Sequence, residues 1–296
     1  MRIILATLLS AIVIGVLITA ARIWGLGQKF PEFDSPFFAG QTPIIIVKAD
    51  TLAKVDEVLK LKPDAVIWAD VRMSKGKVPF VLPPSRDMEF LKSKEEQQKA
   101  NPTTPIMQGG KLSDYSWEQI NEFYKETPAL KEFYDKFPTT RFVLNIVDNV
   151  ADVQSSVVNA IQDYKPDGRT LVTSDALVIM EAVKELKPTW VYGTSLPDIM
   201  RLLSFDSLYV LPSTQYKGDV FIAPFTVLDG RRPAFNDDII QEMRRRHKRI
   251  YLGPVTTEKQ FITARDYKVD GYVTENLPQL LQWLNAAPAA TANEST

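Results

Sequence analysis

The sequence predicts an α/β chain: a (β/α)8 barrel of eight parallel strands, each followed by a helix, carried on an N-terminal transmembrane helix. Three observations predict it. Short apolar runs alternate with amphipathic segments from Ile44 to Leu284, which is the mark of β/α units whose strands are buried on both faces. A chain of 296 residues with 45% hydrophobic content suits a single barrel of roughly 250 residues. Residues 3–21 carry no charge and only Thr7, Ser10 and Thr19 as polar interruptions; as a helix they reach about 28 Å, close to the thickness of a bilayer core.

The elements follow in order. Residues 44–47 are an unbroken aliphatic strand, and Thr51 caps a helix over 52–61 with Leu52, Val55, Val58 and Leu59 on one face. Pro63 closes that helix, residues 65–71 form the second strand, and the turn 74–77 leads into a return strand over 78–82. Residues 85–112 are polar and broken by Pro102, Pro105 and the turn Gly109-Gly110, so they predict an irregular, mobile insertion with one short helix over 88–99. Ser116 caps a helix to Tyr124, Thr127-Pro128 starts another to Phe137, and residues 141–147 are the third strand. Strands over 170–173, 190–193, 220–223, 250–252 and 271–274 then alternate with helices over 152–163, 175–186, 196–203, 237–246, 258–266 and 277–284. The resulting division is an anchor over 1–22, a stem over 23–42, a barrel over 43–285 and a disordered tail over 286–296.

Charge and composition remove several function classes. With 35 basic against 36 acidic residues and a net charge of −1, bulk charge offers no route to nucleic acid. The absence of cysteine excludes disulfides, thiolate metal sites and a cysteine nucleophile. The one histidine, His247, sits in the run Arg244-Arg245-Arg246-His247-Lys248-Arg249 at a helix end; such ends lie on the barrel face opposite an active site. The same run is expected near the anchor, where its cations would face an anionic leaflet; the alternative is a solvated helix end that a long stem holds away from the membrane. The alternative to an anchor is a cleaved signal peptide ending at Thr19-Ala20-Ala21, although the apolar run is longer than the usual 7 to 15 residues or so. Arg2 and Arg22 nearly balance the flanks, and a short N-terminal anchor favours a single-pass protein with its bulk outside the cytoplasm.

Five spaced motifs carry a resemblance. Val47-Lys48-Ala49 ends the first strand, Trp68-Ala69-Asp70-Val71 ends the second, Pro83-Pro84 follows the return strand, Leu144-Asn145-Ile146-Val147-Asp148-Asn149 ends the third, and residues 269–278 read Val-Asp-Gly-Tyr-Val-Thr-Glu-Asn-Leu-Pro. In this order they resemble the glycerophosphodiester phosphodiesterase family, whose corresponding motifs are His-Arg-Gly, Glu-x-Asp-Val, His-Asp, Leu-Asn-Ile-Glu-x-Lys and Val-Asp-Gly-Ile-x-Thr-Asp-x-Pro. The resemblance covers about residues 43–285 and implies the same barrel. It also implies that positions used by the family for metal binding and proton transfer are occupied here by Val47, Trp68, Pro83 and Val147, with Asp70 the one matching metal ligand.

The expected consequences are specific. No catalytic residue is expected. Lys48, Trp68, Asp70, Asp148 and Glu275 are the candidate ligand-binding residues at the barrel mouth, with Asp70 as the sole candidate metal ligand. For Asp148 and Glu275 a helix-capping or solvated role is the alternative, and for Asp70 a hydrogen-bonded structural one. No cofactor is expected; magnesium or calcium would be required if the site were active. The reading is a catalytically degenerate domain at the cell envelope, bound to the membrane by its N-terminal helix, that takes a phosphate-bearing or polyol small molecule or a protein partner. Alternatives are an active phosphoric diester hydrolase of glycerophospholipid metabolism with a rebuilt site, and a structural envelope protein, which predicts no pocket.

Overall fold

In the computed structural model, residues 2–100 and 111–286 are described, without the side chains of residues 2, 95 and 97–100. The Gly109-Gly110 turn lies outside the described residues, as does the expected tail beyond Ala286. Helix α1 (Arg2–Leu26) precedes β1 (Ile44–Lys48), α2 (Leu52–Leu61), β2 (Val66–Met73) and the return strand β3 (Pro79–Val81). Then come α3 (Asp87–Ala100), α4 (Trp117–Tyr124), α5 (Leu130–Lys136), β4 (Phe142–Ile146), α6 (Val153–Ile161), β5 (Thr170–Thr173), α7 (Leu177–Leu186), β6 (Val191–Tyr192) and α8 (Leu196–Ser207). The chain continues through β7 (Val220–Ala223), the hairpin strands β8 (Thr226–Val227) and β9 (Arg232–Pro233), α9 (Asp237–Arg245), β10 (Arg249–Leu252), α10 (Glu258–Asp266), β11 (Gly271–Thr274) and α11 (Leu277–Ala286).

The parallel strands pair in the order β6-β5-β4-β2-β1-β11-β10-β7, with β3 antiparallel on β2. Side chains bridge the seam between β6 and β7. Asp219 N donates to Tyr192 O at 2.7 Å while Tyr192 N donates to the Asp219 carboxylate at 3.0 Å. Thr194 Oγ1 accepts from Ile222 N at 2.8 Å and lies 2.8 Å from the Tyr216 hydroxyl, which in turn donates to Val220 O at 2.7 Å. The sheet is thus a nearly closed barrel, with its missing ladder bonds replaced by Asp219, Thr194 and Tyr216.

Strand alternation sorts the core. Ile44, Ile46, Val66, Val143, Leu171, Val191, Val220, Ile222, Tyr251 and Val273 fill the interior, while Ile45, Val47, Ile67, Leu144, Val172 and Leu252 pack outward against the helices. Two expectations change here. The stem over 23–42 is only partly a linker: α1 runs on to Leu26, and a 3-10 turn, Pro36–Phe38, inserts Phe37 and Phe38 into the interior cluster as the barrel floor. Arg141 fixes this floor by donating to Phe37 O at 2.8 Å and to Ala39 O, and to Asp64 O at 2.9 Å. The described ends of the insertion after β3 are packed rather than loose: Phe90 and Leu112 bury themselves with Phe80, Leu82, Ile120 and Tyr124 in a second small core.

The basic run is a neighbour of the anchor, but its charges are largely used within the fold. Arg245 donates to the Glu242 carboxylate at 2.7 Å and to Gly25 O and Gln28 O at 3.3 and 3.1 Å. Arg246 is buried, with Nε on Glu242 at 2.6 Å and a second bond to Pro212 O at 3.1 Å. Arg244 caps Tyr267 O. His247, exposed, sits at the C-terminal end of α9 on the floor side of the barrel.

Candidate functional site

The mouth forms where the interior faces of the strands end. Above Ile44 and Ile46, the next interior position of β1 is Lys48, which is in register with Trp68 of β2. One step further, Asp70 is in register with Asn145 of β4, and Asn145 with Thr173 of β5. This places a polar arc on neighbouring strands over the apolar interior of Ile222 and Val273.

Lys48, Trp68, Asp70 and Glu275 line one cavity at the mouth. Lys48 Nζ lies 3.3 Å from Glu275 Oε1 and 5.7 Å from the Trp68 ring centre. The Trp68 indole N–H donates to Asp70 Oδ1 at 2.9 Å, and Asn145 Nδ2 donates to the same oxygen at 2.7 Å. Among the described residues both bonds to Asp70 fall on Oδ1, and Asp70 lines the mouth. The mouth has two lobes that share Lys48 and Trp68. One, of about 400 Å³, adds Asp50, Lys54, Asp70, Pro83, Pro84 and Glu275. The other, of about 390 Å³, is lined by Asn145, Thr173, Thr194, Ile222 and Pro254 under the β8–β9 hairpin. These volumes suit a small molecule.

Asp148 is not part of this group. Its Oδ2 accepts from Met73 N at 2.8 Å and its Oδ1 lies 3.3 Å from Arg72 Nε. Burial pushes its carboxyl above the usual carboxylate range, against the pull of Arg72. It ties the end of β2 to the end of β4, and Arg72 carries the tie onward to Asp87 of α3. Sequence reasoning passed over Asn145, Thr173, Thr194 and Lys54. Asn145 and Thr173 share the inward parity of Val143 and Leu171, a signal available in the sequence. Lys54, in the first turn of α2, donates its backbone N–H to the capping Thr51 at 3.2 Å.

A divalent cation fits these residues poorly. Magnesium and calcium need several oxygen ligands, yet Asp70 Oδ1 is saturated, Glu275 is paired with Lys48, and Asp148 faces Arg72. Among the described residues no group of three or more His, Cys, Asp or Glu converges to hold a metal ion. Val47 and Val147, at two positions where the resembling family places polar groups, offer no ligand atom; Val47 is fully buried against the helices.

No protein-family model matches the chain, and no curated protein does. Solved structures do. The glycerophosphoryl diester phosphodiesterase domain of a Mycobacterium tuberculosis protein superposes with a TM-score of 0.61 at 15% identity, covering 82% of this chain and 100% of the other. A glycerophosphodiester phosphodiesterase from Parabacteroides distasonis gives 0.59 at 12%, covering 83% and 99%. A phosphodiesterase from Oleispira antarctica, in complex with the product sn-glycerol-3-phosphate, gives 0.55 at 10%, covering 83% and 98%. At such identities the agreement establishes architecture, and the motif order found in the sequence points the same way: this chain has the fold of the glycerophosphodiester phosphodiesterases.

Proposed function

We propose that the chain is a membrane-anchored, catalytically degenerate member of the glycerophosphodiester phosphodiesterase family that binds a small phosphate-bearing polyol from the extracytoplasmic side. The observation that carries this reading is the state of Asp70. The single carboxylate at a family metal position is held by Trp68 and Asn145, and the cation at the same mouth is Lys48, over the Trp68 ring and paired with the half-exposed Glu275. A lysine attracts phosphate as a point charge, Asp70 Oδ2 would accept hydrogen bonds from hydroxyl groups, and the Trp68 face would cover C–H groups of a polyol. The product-bound Oleispira antarctica structure supports this ligand class by analogy of fold. An open mouth argues against a purely structural role. A rebuilt hydrolytic site would need a set of converging carboxylates that the described residues lack.

For the anchor, the support is the length of α1: 24 residues apolar enough to cross a bilayer, with none of its most apolar window buried. Intact-mass analysis of the protein from its own membranes should find Met1, or the residue after it, as the first residue; a chain starting near Arg22 would instead mean secretion. The ligand is tested by titrating glycerol 3-phosphate and glycerophosphodiesters while following tryptophan fluorescence. Saturable binding weakened at least tenfold by Lys48→Met and by Trp68→Leu is expected. Absence of binding in the millimolar range would refute the small-molecule reading and turn the search to a protein partner.

A further inference from the structure

We infer that the barrel is seated directly on the bilayer by its floor side, with the loop Leu208-Tyr209 as a second membrane contact, so that the mouth opens away from the membrane that holds the anchor. This rests on the reading of α1 as a membrane span. A spanning helix followed by a flexible stem would leave the barrel's orientation free. Here α1 is clamped to the barrel instead. Arg22 donates to Tyr209 O at 3.0 Å, and Arg245 donates to Gly25 O and Gln28 O at 3.3 and 3.1 Å. Gly25 lies so close to the turn Leu211–Ser213 that a Cβ would come within 2.3 Å of the Pro212 carbonyl carbon. The Phe30 ring lies under the guanidinium groups of Arg245 and Arg246.

The clamp fixes the depth of Tyr209. Arg22 is the first charged residue after the apolar run, and at about 1.5 Å per residue Trp24 lies only ~5 Å beyond Ala21, which is the depth of the lipid interface. The residue whose carbonyl Arg22 holds must then sit at that depth too. Its side chain is suited to the place. Tyr209 is 74% exposed, Leu208 57% and Trp24 63%, and Tyr and Trp are the side chains that favour an interface with one end apolar and the other wet. Tyr209 also has a left-handed φ of 59° just after α8, a position where glycine is the ordinary occupant. Neither the backbone nor packing asks for an aromatic there; a bilayer surface does. Because β1 runs from the Phe37–Phe38 floor up to Lys48, the mouth then faces the aqueous side, and the ligand reaches it from water rather than from the lipids of the same leaflet.

The absence of cysteine makes the test direct. Full-length Gly15→Cys, Tyr209→Cys and Asp175→Cys variants, each labelled with an environment-sensitive fluorophore, are placed in phosphatidylcholine–phosphatidylglycerol vesicles containing nitroxide lipids. Gly15 has open space around it, and Asp175 is an exposed residue of the mouth. The expected result is strong quenching at 15 by deep nitroxides, quenching at 209 by headgroup-depth nitroxides at least three times that at 175, and little at 175. Quenching at 15 with little at either 209 or 175 overturns the seating while leaving the anchor intact. Strong headgroup-depth quenching at 175 as well as at 209 overturns the orientation. A label at 15 that escapes quenching refutes the anchor itself, and the seating with it.

Discussion

Replacing Asp70 separates a structural carboxylate from a metal-binding one. Asp70 is 9% exposed and accepts from Trp68 Nε1 and Asn145 Nδ2 at 2.9 and 2.7 Å. Hydrogen bonds to a charged group contribute about 1.5–3 kcal/mol each. Trp68 and Asn145 are only half-buried, so water at the mouth recovers part of the loss, and Asp70→Ala should cost about 2–3 kcal/mol in all. For a domain of this size that lowers the melting temperature by about 4–12 °C. Asp70→Asn keeps an oxygen for both donors and loses only the charge assistance, about 1 kcal/mol or ~3 °C. A carboxylate waiting for a cation behaves differently: millimolar magnesium, calcium or manganese at ~100-fold its dissociation constant would stabilise the wild type by about 2.7 kcal/mol. Differential scanning fluorimetry of wild type and both variants, with chelator or divalent ions, decides between the two. A melting temperature raised several degrees by a divalent ion, with the rise lost in Asp70→Asn, would refute the assignment of Asp70 as a hydrogen-bonded hub.

Two further predictions concern the frame around the site. Phe37 is fully buried in the floor, so Phe37→Ala should destabilise the barrel by about 3–5 kcal/mol in chemical denaturation; a change under ~1 kcal/mol would return residues 23–42 to the status of a linker. Asp219 is held above its ordinary value of 3.8 by burial, against the pull of Lys184. A raised folded-state value means that the native chain binds the extra proton, so this group's contribution to stability is fully present below 3.8 and is lost as pH rises through the folded value. The stability of wild type relative to Asp219→Asn should accordingly fall as pH rises above 3.8, and a rise in that direction would contradict the assignment.

The barrel was legible because parallel strands buried on both faces leave apolar runs that few other arrangements require. The mouth was legible in part, through the motif order and the fact that strand ends converge. Lys48, Trp68, Asp70 and Glu275 meet; Asp148 does not, for a reason of parity. In β4 the inward positions are Val143 and Asn145, so Asp148 belongs to the other set and turns to Arg72. The same parity would have selected Asn145 and Thr173, small polar residues that pass for strand filler. Phe37 and Phe38 fall within the expected stem over 23–42, because a floor has meaning only once the barrel it closes is formed. The β8–β9 hairpin, two residues per strand, is too short to leave any periodicity.

The central claim, a glycerophosphodiester phosphodiesterase barrel without the hydrolytic chemistry, is tested most directly by turnover. Full-length protein in detergent micelles is incubated with glycerophosphodiesters and magnesium, calcium or manganese, and release of glycerol 3-phosphate is followed against the Asp70→Asn variant. Loss of one general acid or base costs about 10²–10⁴ in rate; on the proposed reading Val47, Pro83 and Val147 supply neither a proton carrier nor a metal ligand, so wild type and variant should be equal to each other and to the buffer blank. Divalent-dependent release that the single Asp70→Asn change abolishes would contradict the account and restore the enzyme.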